Sequence, residues 1–489
     1  MIKIRVILFL MMFIVISGNV SAQFIGTSSN YSGSRGLNIN PSLMTTSYVY
    51  GDIGMNLGLS AYNDFAYLHA KDLYSLLNNG STSYYDNIGG IHKFGFLMNT
   101  NPKNIYQTLD FNVISGMFSK NAKSAFGFFL NNRVYTEGKR IPWEIMEISA
   151  VSIENGDYIG KNYKSDNTKA GSMVWSELGL SYSRTVHEHY YDKIDFGFTV
   201  KGLLGYAAIC VNLNEVDKDI VSKNESVIHY LDMTAAVAGP IDYTANFADG
   251  KVFDANRMVN GYGAGFDIGV TYTRKIDEEE CGEIKMPCTA PVVRYVWRLG
   301  VSLLDVGAIN FKNNAKVYKL ETDTDKTFDI RDLEGTENID EVMMRVSDIF
   351  YDDTLKSLTD NRFLMSLPTA LSFQFDYNFY NKFYVNATWI QPIRFFEYSS
   401  IRPALFVAEP RFESEFFEIG IPVTLYNYEK IYVGTEIRFA FLTVGTHNIF
   451  NFLAIGDTYG LDVYVGLKFN LYKGKCRKGP RDACWNSGF

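Results

Sequence analysis

The 489-residue sequence predicts an all-β fold, a transmembrane up-and-down antiparallel β-barrel of about 12 to 14 strands with long extracellular loops. Three observations carry this. First, many stretches alternate apolar and polar residues with period two. Ile53, Met55, Leu57, Leu59 and Ala61 interleave with Asp52, Gly54, Asn56, Gly58 and Ser60, and Leu461, Val463, Val465, Leu467, Phe469 and Leu471 interleave with Asp462, Tyr464, Gly466, Lys468 and Asn470. Period two puts one set on each face of a strand, so one face is apolar and the other polar. Second, the connections alternate short and long, as in a meander through one membrane. Third, beyond the N-terminus no apolar run reaches the roughly 20 residues a spanning helix needs, so insertion must use strands.

Taken in order, Lys3 and Arg5 precede an apolar run from Val6 to Ile16, and Val20-Ser21-Ala22 is a small-residue cleavage pattern. Residues 1–22 therefore read as a signal peptide, 23–472 as the barrel and 473–489 as a basic periplasmic tail carrying Lys473, Lys475, Arg477, Lys478 and Arg481. No Cys follows the cleavage point directly, which speaks against a lipid anchor. The periodicity gives twelve strands, at 48–62, 106–118, 124–135, 173–186, 193–207, 261–275, 291–304, 368–379, 382–391, 414–425, 430–442 and 460–472. Ser119–Lys123 and Tyr426–Glu429 belong to the short, periplasmic set, and Asp305–Leu367 is the longest extracellular connection. Short helices are expected at Tyr67–Leu77 and Asp340–Ile349 inside long loops. The 36 Phe and 33 Tyr suit interfacial aromatic girdles.

By phase the lumen receives Asp52, Asn56, Asp110, Asn112, Glu177, Asp195, Lys201, Asp267, Arg294, Arg298, Gln374, Asp376, Asn386, Glu418, Glu436, Arg438, Asp462 and Lys468. A charge on the lipid face costs about 2–4 kcal/mol for Arg or Lys near the midplane, so confinement of charge to one phase is what a barrel requires. Two readings of these residues stay open. Arg294, Arg298 and Arg438 pair with Asp267, Glu436 and Asp462 and close a narrow bore, or the same residues line an aqueous path.

Catalysis and cofactors are not expected. All six histidines fall in predicted turns or loops, and His187-Glu188-His189 reads as a polar turn. The acidic runs Asp277–Glu280 and 321–325 lack the ordered alternation and Gly of a calcium loop. Gly261-Tyr262-Gly263-Ala264-Gly265 leads into a strand, which removes a phosphate-binding reading. A net charge of −8 argues against nucleic acid. Of five cysteines, Cys281 with Cys288 and Cys476 with Cys484 form the simplest disulfide arrangement, although spacing does not fix connectivity. Cys210 is left as a small buried residue near the start of a long loop.

Asn40-Pro41-Ser42-Leu43 resembles the N-terminal Asn-Pro-Ala motif of the long-chain fatty-acid transporter superfamily of barrels (FadL) and its PorV-like relatives. More of the chain resembles a Bacteroidota outer-membrane family of unknown function, through residues 298–307, Pro410-Arg411-Phe412-Glu413, Ile419-Gly420-Ile421-Pro422, Gly434 with Ile437-Arg438-Phe439, and residues 462–467. The resemblance implies about 14 strands, with Pro403–Val407 and Phe94–Met98 as the segments left in loops, and it transfers no functional residue. The expected role is a scaffold or accessory subunit for a secretion, motility or cell-wall-attachment assembly in the outer membrane of a Gram-negative bacterium. Its partners would be outer-membrane lipid and a periplasmic or surface protein. The alternative is a gated channel for a small hydrophobic or amphipathic solute.

Overall fold

Alternating strands close on themselves here because the first and last share one register. The computed structural model describes residues 27–69, 94–96, 101–121, 123–143, 159–222, 224–246, 253–276, 294–380, 382–453 and 455–471. Fourteen antiparallel strands form the barrel. They are β1 (Gly51–Asn63), β2 (Lys103–Asn121), β3 (Ser124–Ile141), β4 (Asn162–Glu188), β5 (Asp192–Ile220), β6 (Gly261–Lys275) and β7 (Tyr295–Phe311). The second half comprises β8 (Ala370–Tyr380), β9 (Phe383–Pro392), β10 (Leu405–Glu413), β11 (Phe417–Gly420 and Val423–Tyr426), β12 (Lys430–Val433 and Thr435–Phe439), β13 (Leu442–Thr446) and β14 (Gly460–Leu471). The ladder between β1 and β14, from Gly51↔Leu471 to Tyr62↔Gly460, closes it and leaves no edge in the wall there. Both ends of the described chain lie at the end of the barrel that carries the short turns.

The period-two phase holds. Ile53, Met55, Leu57, Phe198, Val200, Val301, Phe375 and Val465 are exposed on the outer face, while Asp52, Asp195, Lys201, Asp267, Arg298, Gln374, Asp376, Glu418, Arg438 and Lys468 are buried inside. Exposed Phe118, Phe126, Tyr190, Phe379, Phe416, Phe439 and Phe469 ring the turn end, with Phe118 stacked on Phe126 at 5.5 Å, which is the expected aromatic girdle.

Two barrel strands were absent from the sequence reading. β10 carries Pro410 outward and Glu409, Arg411 and Glu413 inward, so its alternation has few apolar anchors, and it extends the suspected 403–407 segment by six residues. β13 has only five residues and follows β12 after a two-residue turn at Ala440 and Phe441, so the two read as one strand. The missing pair also misplaces one connection. Asn427–Glu429 lies at the loop end, not among the periplasmic turns, because β10 precedes it unseen and reverses the parity. Phe94–Phe96 is a strand outside the barrel, paired with Ala66–His69. The helix expected at Tyr67–Leu77 is contradicted where it is described, since 67–69 are in that strand, and the remainder lies outside the described residues.

β4 and β5 run 27 and 29 residues, far beyond the roughly 9–11 that cross a bilayer. Their outer halves continue into a sheet with strands Glu225–Ala238, Ala315–Thr322 and Lys326–Asp329. Helix α1 (Ile339–Tyr351), expected at Asp340–Ile349, caps one face. Asn338 accepts the Glu341 amide at its start, and Phe350 packs with Ile228, Leu231 and Leu320.

Candidate functional site

A segment upstream of β1 folds into the lumen at the turn end. It makes two 3-10 turns, Gly33–Asn38 and Pro41–Thr46, almost wholly buried. Asn40 caps the second: its Oδ1 accepts from the Ser42 amide at 2.9 Å and the Ser42 hydroxyl at 2.6 Å, with Pro41 at the first helical position. Its Nδ2 donates to Gln374 Oε1 on β8 at 3.0 Å and to the Val270 carbonyl on β6 at 3.3 Å. The Asn-Pro pair therefore folds the plug locally and ties it to the wall. Gly33 sits at φ +57 where a Cβ would strike Asp52, and the Ser34 amide donates to Asp52 at 2.8 Å.

The wall grips this plug with charged side chains. Lys193 donates to the Thr45 carbonyl at 2.9 Å, Arg298 to Thr46 Oγ1 at 3.2 Å, and Lys468 to the carbonyls of Tyr31 and Ser32. The Asn30 amide and Ser29 hydroxyl donate to Glu413 and Glu418 at 3.0 and 2.9 Å, and Arg35 reaches Thr443 at 2.8 Å. Around it lie buried ion pairs Lys193–Asp195, Arg298–Asp376, Arg411–Glu413 and Arg438–Glu418, at 3.1, 2.7, 2.6 and 2.9 Å.

The predicted network is thus corrected in its partners though not in its phase. Arg298 meets Asp376 and Arg438 meets Glu418; neither pairs with Asp267, Glu436 or Asp462. Asp267 holds Lys201 at 2.8 Å, and Asp462 accepts from Thr446 Oγ1 at 2.9 Å and from the His447 amide. Arg294 stands half-buried just before β7, at the turn end. Glu436 is buried with neither oxygen hydrogen-bonded among the described residues. Cys281, Cys288, Cys476, Cys484 and the tail lie outside the described residues. Cys210 is a buried free thiol within β5, not beside a loop, in an apolar cluster.

A second charged layer sits above the plug. Asp305 occupies a bulge in β7 at φ +53 and accepts from Arg133 at 3.1 Å, from Lys201 at 2.5 Å and from Arg402. Arg133 also meets Asp110 at 2.7 Å and Glu177 at 3.3 Å. Sequence reasoning missed Asp305 and Arg402 because they lie outside regular alternation, and Arg133 because its strand also points Phe129 and Tyr135 inward. Arg133, Glu177, Lys201 and Asp305 line a small polar chamber. Nearer the loops, Met173, Trp175, Phe311, Phe363, Met365 and Leu367 pack into an apolar cluster.

The wall itself is interrupted beside that level. β13 stops at Thr446, so Lys430–Val433 of β12 pair only with β11, and residues 461–463 of β14 pair only with β1. Among the described residues no strand fills this gap. Residues 447–453 and 455–459 cover it, including the single-turn helix α2 (Ile449–Phe452). They are held by side chains, Thr424 Oγ1 with His447 Nδ1 at 2.9 Å, Asn451 Nδ2 to the Gly460 carbonyl at 2.7 Å and Asp462 to Thr446 and His447, and at their far end by main chain, where Asp457–Thr458 pairs with Ala66–His69 and the Asn63 amide donates to the Tyr459 carbonyl at 2.9 Å. Phe450, Leu453 and Ile455 are exposed on the outer side. Behind this cover a small cavity, partly open to solvent, is lined by Tyr62, Leu405, Tyr426, Tyr432, Leu461 and Arg402, among others.

Residues 41–447 match the Family of unknown function (DUF5723). The chain belongs to that family. The DUF5723 match begins at Pro41 in the plug and ends at His447 in the cover of the gap, so it embraces the second charged layer and most of the first, leaving out Lys468 and the plug residues before Pro41. No curated protein matches the chain. Among solved structures it is similar to the TodX monoaromatic hydrocarbon channel deltaS2 mutant, at 9% identity over 90% of this chain and 95% of that one, TM-score 0.38. It is also similar to the Ralstonia pickettii toluene transporter TbuX, at 9% identity, 90% and 94% coverage and TM-score 0.37. A Pseudomonas aeruginosa FadL homologue follows at 10% identity, 93% and 100% coverage and TM-score 0.27. At this depth of similarity the fold of the DUF5723 chain rests on its own hydrogen-bonded ladder.

Proposed function

We propose that the protein is a gated channel for a small hydrophobic or amphipathic solute in the outer membrane of a Gram-negative bacterium, closed along its axis and opening sideways. The observation that carries this is the gap between β12 and β14, which has an apolar, tyrosine-rich cavity behind it and an apolar cover in front. The axis is blocked by the plug, so a polar solute has no straight path. A sheet wall held by main-chain hydrogen bonds is costly to part, whereas residues 447–453 are held to the wall by a few side-chain bonds of about 1 kcal/mol each. An apolar solute leaving through such a door would pass directly into lipid, the phase it prefers. The second reading, an accessory subunit that docks a protein, is favoured by the sheet and helix that β4 and β5 raise well above the barrel.

The test uses intact cells whose lipopolysaccharide excludes apolar dyes. Uptake of N-phenyl-1-naphthylamine and hydrolysis of nitrocefin are compared in cells carrying no protein, the wild type or Asp462→Ala, which frees Thr446 and the His447 amide. Dye uptake should rise above the empty control with the wild type and several-fold further with the variant, while nitrocefin entry stays at the control rate. Dye uptake equal in all three strains rejects the channel and promotes the docking subunit.

A further inference from the structure

Two cavities of the lumen are lined by consecutive rows of the same wall. Across β14, β1, β2 and β3 the paired residues Tyr464, Gly58, Asp110 and Arg133 form one inward row, and all four line the polar chamber. The next inward row toward the loops, Asp462, Ser60, Thr108 and Tyr135, lines the cavity behind the gap. Successive rows on one face of a strand are two residues apart, about 7 Å. Gly58, Ser60 and Thr108 carry little or no side chain, so on β1 and β2 the wall puts little between the two spaces.

One side chain divides them. Among the described residues Arg402 alone lines both cavities, and it is 3% exposed. It comes from the irregular segment before β10, and its guanidinium is tied at two nitrogens: Nε donates to the Pro368 carbonyl at 2.9 Å and Nη2 to Asp305. Arg133 braces the same level, donating through Nη1 to Asp305 at 3.1 Å and through Nη2 to the Tyr135 hydroxyl at 3.0 Å. Asp305 lines only the chamber, whereas Leu405, Tyr426 and Leu461 line only the side cavity. Arg402 therefore stands where the character of the lumen changes from charged to apolar.

We propose that Arg402 is an internal septum, the residue that ends the side cavity and keeps a solute admitted at the gap away from the charged layer. With Arg402 in place, such a solute meets tyrosine and leucine and turns back to the gap. Without it, the side cavity and the chamber become one space that reaches the plug at Leu37 and Asn38. That the visitor is a transported solute rests on the proposed channel; the division of the lumen is independent of it.

Cysteine accessibility in the full-length protein, held in lipid nanodiscs, tests the septum. Asn56 on β1 lines the chamber and Ser60 lines the side cavity, and both are partly exposed. Asn56→Cys and Ser60→Cys are each labelled with N-ethylmaleimide and read by mass spectrometry on the β1 peptide, so that native cysteines do not interfere. Ser60→Cys should react about tenfold faster than Asn56→Cys, since thiol reactivity follows access. Adding Arg402→Ala should raise the Asn56→Cys rate to that of Ser60→Cys, whereas Arg402→Met, which keeps the bulk, should leave it slow. Ser34→Cys in the plug should stay unreactive in both. Equal rates at the two β1 positions with Arg402 present overturn the septum without any change at Arg402. So does a slow Asn56→Cys in Arg402→Ala, a rise of the same size in Arg402→Met, or a matching rise at Ser34→Cys, which would mean a loosened interior. Dye uptake is read separately: if it fails while Asn56→Cys keeps its dependence on Arg402, the channel reading falls and the septum stands.

Discussion

Asp305→Asn is the most informative single change in the lumen. Asp305 sits at φ +53, a conformation asparagine adopts readily, so the substitution removes charge with little effect on the backbone. The layer it belongs to holds three cations, Arg133, Lys201 and Arg402, and four carboxylates, Asp110, Glu177, Asp267 and Asp305. Net charge alone would make the variant neutral or slightly more stable, because it evens the count. Position argues the opposite, since Asp305 is the one carboxylate of the four that contacts all three cations. Removing one partner of a buried pair costs about 3–5 kcal/mol, and the asparagine oxygen recovers part of what three contacts lose, so we expect about 4 kcal/mol. Urea unfolding of the barrel refolded into lipid vesicles measures this directly, with retained heat-modifiability on gels showing that the variant inserts. A loss under about 1 kcal/mol, or a gain, would refute the hub and favour simple charge counting.

Outward Val465→Arg and Phe198→Arg should each cost about 2–4 kcal/mol and lower the yield of assembled barrel, read by the same gel shift; full assembly of both would contradict the phase assignment. The lumen positions beside them are no tolerant controls, because Thr199 bonds Ser181 at 2.8 Å and Arg35 fills the space over Gly466. Epitope tags at Asn224 or within 331–337, on the raised sheet, should bind antibody on intact cells, whereas a tag at Lys120 should not; surface labelling at Lys120 would invert the orientation. His229 in that sheet contacts Asp325 at 2.8 Å through Nδ1 and Asp219 at 3.1 Å through Nε2, and these hydrogen bonds, with the charges behind them, raise its pKa. Its clasp is therefore fully present below the ordinary imidazole range and is lost as pH rises through the raised value, so corrected exchange protection of residues 225–231 should drop with pH in the wild type and lie flat in His229→Gln. A drop of the same size in His229→Gln would assign it elsewhere.

What the sequence made legible was the periodic part of the structure. Side-chain alternation fixed which face of β1, β5, β8 and β14 meets lipid, and nearly every charge assigned inward from it is buried in the lumen. Strand number was less legible, because β10 trades apolar anchors for Pro410 and three inward charges, and β13 is too short to separate from β12. Partner identity was not legible at all. Period two says that Arg298 points inward, but whether it meets Asp376 or Asp267 depends on barrel curvature and on the plug, which fills the space between facing strands. The plug showed itself only as the Asn40-Pro41 pair. Its neighbours Thr45, Thr46 and Arg35 carry no pattern, because a segment folded into a polar cavity needs hydrogen-bonding groups in no fixed period.

The central claim is that the N-terminal segment and the charges gripping it close the bore. Single-channel recording in planar bilayers, comparing the wild type with a variant lacking residues 27–47, tests it most directly. The wild type should show little steady conductance and the deletion a large, stable one with little ion preference, since Lys193, Arg298, Arg411, Arg438 and Lys468 balance Asp52, Asp195, Asp376, Glu413 and Glu418 in the ring it uncovers. A large and stable wild-type conductance, unchanged by the deletion, would contradict the account.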